Sequence, residues 1–222
     1  MNFSYIAALD YDHLDNGLFL KSFADAIASH KERGLIIHGD SDYTERIMQT
    51  GVMREDARIR AIKDLNNRLV ALLADEGVSA IGLNGYQREL IRIKNGTFRV
   101  DIDQFKRLPD QPVLLISSLV YSDDTGKPAA ATLKDIIYAL QNALNINDTF
   151  LFTRSEENDV IKKNLPATIT EAEDPDTFIQ NNIPAEFHQF KSTAQLISPD
   201  DFRHYPDVKN STRLKNISIS DQ

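Results

Sequence analysis

The chain has 222 residues, 41% of them hydrophobic and 26% charged, which is enough apolar material to bury a sizeable core without a disulfide or metal staple. A net charge of -8 and a pI near 5.1 set it against phosphate backbones and anionic membrane surfaces, so no nucleic acid and no membrane are expected as partners. The absence of cysteine excludes disulfides, thiolate metal ligands and cysteine nucleophiles.

The opening stretch, MNFSYIAALDYDHLD, lacks a basic lead and reaches acidic residues after one short apolar run. It therefore predicts neither a secretory signal nor a membrane span, and a cytoplasmic protein is expected. Residues 3–9 predict a buried strand that stops at Asp10. Apolar positions Leu18, Phe19, Phe23, Ala26 and Ile27 predict a helix over 18–30, with Gly34 as its stop signal. Leu35 to Ile37 form the next strand, and the strand, helix, strand order predicts a parallel crossover. Ile59, Ile62, Leu65, Leu69, Leu72 and Leu73 recur every three or four residues, giving a long helix over 56–76 closed by Gly77.

Residues 79–83 predict a further strand, and 89–93 with 97–102 flank Asn95-Gly96, a pair that favours a type I′ hairpin. The strongest strand lies within 112–121, a helix is expected over 133–144, and 149–153 forms another strand. Later signals predict helices over 175–181 and 186–197, then a loose tail in which Leu214, Ile217 and Ile219 supply an edge strand. The fold class expected is α/β: a three-layer αβα sandwich with a mostly parallel central sheet and an inserted β-hairpin.

Ligands of such sheets bind outside the carboxyl ends of the strands, which points to the loops at 10–13, 38–41, 84–87 and 117–124. His38-Gly39-Asp40 and Gly82-Leu83-Asn84-Gly85 place small residues where a backbone approaches an anion. Each has a plainer reading as a tight turn, with His38 as a hydrogen-bonded packing residue and Lys134 and Lys191 as solvated helix charges.

The order and wording of these blocks resemble N-acetylglutamate kinases and the wider amino-acid kinase superfamily. Leu35-Ile36-Ile37-His38-Gly39 resembles that family's strand ending in His-Gly-Gly. Gly51-Val52-Met53-Arg54-Glu55-Asp56 resembles its Gly-x-Arg-x-Thr-Asp segment, and Asn67-Arg68-Leu69-Val70 its Asn-Lys-x-Leu-Val. The block from Gly77 to Gly85 is similar to Gly-x-x-Ala-x-Gly-Leu-Ser-Gly, and Gln111-Pro112-Val113 to the family's Ile-Pro-Val strand. The resemblance implies one domain over 1–222, with a substrate-binding and dimerising half at 1–150 and a shortened nucleotide-side half at 151–222. It also implies a homodimer, a small acidic metabolite as ligand, and a substrate site of His38, Gly39, Asp40, Arg54, Gly82, Asn84 and Gly85.

The departures from the family pattern carry chemical weight, because phosphoryl transfer is catalysed by positioning and by cations held against the moving group. Where the family opens with Lys-x-Gly-Gly, this chain has Ala7-Ala8-Leu9-Asp10-Tyr11; His-Gly-Gly has become His38-Gly39-Asp40; and Met53 aligns with the substrate-gripping arginine. The family's Asn-Ala-Asp falls at Thr132-Leu133-Lys134, Lys191 is the remnant of a catalytic lysine, and no glycine follows Gly126. The expectation is a catalytically impaired protein with a binding or regulatory role. One alternative is an active kinase, using ATP and Mg²⁺, in which Lys134, Lys191 and Arg54 rebuild a site for an N-acylated amino acid or a related carboxylate. Another is a phosphatase of the haloacid dehalogenase type with Asp10 as nucleophile and Asp12 as acid. No metal site is expected from the residues outside that alternative.

Overall fold

The structure is a computed structural model, and it describes residues 3–41, 44, 48–50, 54–110, 113–154 and 164–217. Its centre is a seven-stranded sheet. The strands are β1 (Tyr5–Leu9), β2 (Gly34–His38), β3 (Ala80–Asn84), β6 (Val113–Ser117), β9 (Asp148–Phe152), β10 (Thr193–Ile197) and β11 (Thr212–Lys215). They lie in the order β11-β10-β9-β1-β2-β6-β3, all parallel except the edge strand β11, which runs antiparallel to β10.

Strands buried on both faces read as continuous apolar runs, and the pleat divides their side chains between two cores. Ile6 and Ala8, Leu35 and Ile37, Leu114 and Ile116, and Leu196 face one side. Tyr5, Ala7 and Leu9, Ile36, Leu115, Phe150 and Phe152 face the other.

The second core is covered by α1 (Tyr11–Leu14), α2 (Gly17–Ser29), α3 (Glu55–Asp75) and α7 (Pro199–Phe202), through Leu14, Phe19, Phe23, Leu65, Leu69, Leu73 and Phe202. The first core is covered by α4 (Ile102–Lys106), α5 (Leu133–Leu144) and α6 (Pro175–Asn182), through Phe105, Ile136, Ile137, Leu140 and Ile179. The expected αβα sandwich is what forms.

Three expectations are corrected. The hairpin of β4 (Ile91–Lys94) and β5 (Thr97–Val100) turns at Asn95-Gly96, both with positive φ, but it is not a lone insertion. With β7 (Leu119–Ser122) and β8 (Lys127–Ala130) it builds a second, four-stranded sheet, so the apolar run at 112–121 serves two sheets. Gly34 does not stop a helix: α2 ends at Ser29, and Gly34 opens β2, where a Cβ would fall 2.1 Å from the Tyr5 ring. The span 186–197 is not a helix but a single 3₁₀ turn (Ala185–Phe187) followed by β10. Leu214 lies in β11 as the edge-strand reading had it, while Ile219 lies outside the described residues.

Among the described residues no helix is long and apolar enough to cross a membrane. After β1 the chain builds β2, β3 and β6 on one side, and α5 then carries it back to β9 on the other. The strand order therefore reverses at β1, whose carboxyl end is the position from which a ligand crevice opens in such sheets.

Candidate functional site

A cleft of about 510 Å³ opens there, lined by Tyr11, Gly39, Asp40, Gln49, Arg58, Ser118, Ala130, Ala131, Thr132 and Glu186. The ends of β1, β2 and β6 supply its base, the N-terminus of α5 one wall, and the turn Ala185–Phe187 brings in Glu186. Its volume suits a small molecule.

The N-terminus of α5 is an anion-binding position, because its first amides lack helical partners and the helix dipole points its positive end there. The protein's own carboxylate occupies it: the Leu133 N–H donates to Glu186 Oε1, and the Thr132 hydroxyl donates to Asp135 one turn on. Arg58 Nε donates to Asp40 Oδ2 at 2.9 Å, so the guanidinium that lines the cleft is engaged by an acid from the same wall. Burial holds the Asp40 carboxyl above the usual carboxylate range, against the pull of Arg58.

Beneath this wall lies Asp10. Its carboxyl is fully buried, and neither oxygen makes a well-formed hydrogen bond, with the Tyr11 amide and the Glu186 carboxyl the groups that act on it. Loss of solvent, followed by the charge of Glu186, pushes it up to about 8, and burial raises Glu186 as well. Two carboxyls in such contact titrate as one pair that shares a proton. Outside the cleft lining, Arg154 Nε pairs with Asp12 Oδ2 at 3.1 Å, linking the segment after β1 to the end of β9.

The remaining residues singled out from the sequence are distributed differently. His38 is fully buried: its Nδ1–H donates to Gly39 O at 2.8 Å and its Nε2 accepts from Asn66 Nδ2 at 3.0 Å, so it is a packing residue. Gly82 packs against Asn66 and Val70 of α3, and Gly85 against the Leu119 carbonyl. The Asn84 side chain accepts from Ser117 Oγ at 2.8 Å, joining two strand ends. Arg54 is the exposed residue before α3; Gly51 to Met53, beside it in the resemblance, lie outside the described residues, as do Gln111 and Pro112.

Lys134 and Lys191 do come together, but in a separate groove of about 450 Å³ with Asp135, Tyr138, Gln189 and Phe190. Of the substrate residues expected, Gly39 and Asp40 reach the cleft. Sequence reasoning missed Glu186, since no motif or periodicity marks a residue that arrives 53 positions after the amide it caps. Among the described residues no group of three or more His, Cys, Asp or Glu side chains is arranged to hold a metal ion.

The chain matches no family model and no curated protein. Its structure is similar to that of an isopentenyl phosphate kinase, with a TM-score of 0.63 and 14% identity over 95% of this chain and 99% of that one. It is similar also to N-acetylglutamate synthase from Neisseria gonorrhoeae, with a TM-score of 0.63 and 15% identity over 97% of this chain and 60% of the synthase. A third likeness is to aspartate kinase from Synechocystis, with a TM-score of 0.64 and 11% identity over 97% of this chain and 41% of the kinase. The chain thus has the amino-acid kinase fold, and it spans less than two thirds of the synthase and of the aspartate kinase.

Proposed function

We propose that this protein keeps the amino-acid kinase scaffold, in the manner of an N-acetylglutamate kinase, as a small-molecule binding or regulatory module that is impaired in phosphoryl transfer. The observation that carries the reading is the internal carboxylate of Glu186 on the N-terminal amide of α5. A phosphoryl group in flight needs free amides and cations aimed at it. In this cleft the helix terminus holds Glu186 and the guanidinium of Arg58 holds Asp40, with Asp10 buried behind them. A magnesium triphosphate seated there would face three carboxyl groups, so the residues present do not fit it.

The competing reading is a kinase with a rebuilt site, and the groove shared by Lys134 and Lys191 favours it. It requires those lysines to act on a substrate in their own groove, away from Gly39 and Asp40. The phosphatase reading needs Asp10 ionised and open to substrate, and a fully buried carboxyl with a pKa raised to about 8 supports neither. A homodimer, implied by the resemblance, belongs to the same proposal and is read by light scattering.

Calorimetric titration with ATP and Mg²⁺ is expected to give no binding heat, and incubation with N-acetylglutamate no phosphorylated product. Turnover on the order of 1 to 100 s⁻¹, usual for kinases, would overturn the proposal.

A further inference from the structure

A buried acid with no cation paired to it, walled off from water, asks for a positive charge. Asp10 is such an acid, fully buried with neither oxygen in a well-formed hydrogen bond, and with the Tyr11 amide and the carboxyl of Glu186, which lines the cleft, acting on it. Resting on the reading of the cleft as a ligand site, we propose that the Asp10 and Glu186 pair binds a primary organic amine, whose ammonium replaces the shared proton while its carbon body lies in the cleft.

The neighbouring cations leave this role open. Arg58 is paired with Asp40 and Arg154 with Asp12. The groups acting on Asp10 are Glu186, Asp12 and the Tyr11 amide; on Glu186 they are the Leu133 amide, Lys134 and Asp135. Of these only Lys134 brings a full positive charge, and Asp135 opposes it.

An ammonium suits the geometry better than a metal ion. It carries three donors, two for the carboxyls and one for a hydroxyl among Tyr11, Ser118 and Thr132 on the cleft wall. A divalent cation wants six or more oxygen ligands, and among the described residues no cluster of three metal-ligating side chains exists. The exchange balances: an alkylammonium enters, a proton leaves, and the pair changes from one shared proton to one bound cation.

The test is calorimetric titration of the full chain with n-butylamine at pH 7 in two buffers of different ionisation enthalpy. Saturable binding with release of up to one proton per amine is expected, weakened about tenfold or more in Asp10→Asn and in Glu186→Gln, as for loss of a charge-assisted hydrogen bond. Asp10→Asn keeps the shape and removes a buried charge, so its urea midpoint at pH 8 should stand above that of the parent and certify the fold. The proposal falls if the amine does not saturate, if both variants bind it equally well, or if MgCl₂ or KCl displaces it at matching concentration, which would mark a metal-ion site. ATP titration is the separate arm: heat from ATP with amine binding intact sinks the non-kinase reading alone, and silence toward both sinks only this one.

Discussion

Gly82 sits on β3 where a methyl group would fall 2.3 Å from Asn66 Oδ1 and 2.8 Å from Val70 Cγ2. The Asn66 amide it touches donates to His38 Nε2 at 3.0 Å and to the Leu83 carbonyl at 3.3 Å. Gly82, Asn66 and His38 therefore form one interlocked contact between α3 and the strand ends, and two residues of the family-like blocks are explained by packing. Gly82→Ala must displace Asn66, and it is expected to lower stability by about 1 to 3 kcal/mol, as overpacking does. Asn66→Ala leaves the buried His38 nitrogen unsatisfied and is expected to cost about 1 to 3 kcal/mol. Urea unfolding measures both, while n-butylamine binding should stay unchanged. A variant that kept its stability and lost the amine would return these residues to the ligand site.

At the scale of elements, α5 shows how far local pattern carries. Its apolar positions Ile136, Ile137 and Leu140 are buried at helical spacing with Leu144 partly buried against the same core, and the span expected from them, 133–144, is the one observed. Its C-terminus closes on Asn145, whose φ of 54° is left-handed and whose N–H donates to Gln141 O. Asparagine tolerates that region and a β-branched residue does not. Asn145→Val is therefore expected to destabilise by about 1 to 2 kcal/mol, and Asn145→Gly to match or exceed the parent; thermal melts of the two that coincided would refute the role of the cap. Where pairing is non-local, pattern fails. Ala194, Leu196 and Ile197 suit a helix face as well as a strand, and what decides for β10 is register with Phe150 to Phe152, more than forty residues earlier. The second sheet escaped notice for the same reason, since β4 pairs in parallel with β7 across the whole of α4 and β6.

The molecule as a whole brings to one crevice residues that are scattered in the chain, and the strand-end rule located that crevice through Gly39 and Asp40 without revealing Glu186. Its buried titratable groups then set the response of the fold to pH, with two opposed signs. Burial lowers His13 and His38 to about 4 each and also lowers His30. The His13 and His38 rings are neutral, donating to Thr153 O and Gly39 O respectively. Their contribution is full above the unfolded histidine value of about 6.5 and is lost as pH falls from there toward 4. Asp10, raised to about 8 with Glu186 raised beside it, works the other way: its contribution is full below the unfolded carboxylate value and is lost as pH rises through 8. Each differentially bound proton changes stability by up to about 1.4 kcal/mol per pH unit. Below about 6.5 two or three histidines outweigh the carboxyl pair and Asp40, which burial also raises, and above it the raised carboxyls act without the histidines. The urea midpoint should therefore peak near pH 6.5 and decline on both sides, with Asp10→Asn flattening the alkaline limb and steepening the acid limb, where the pair had opposed the histidines. A parent whose midpoint held level from neutrality to pH 9 would show that the buried pair binds no extra proton, and would remove the electrostatic basis for reading the cleft as a site for cations.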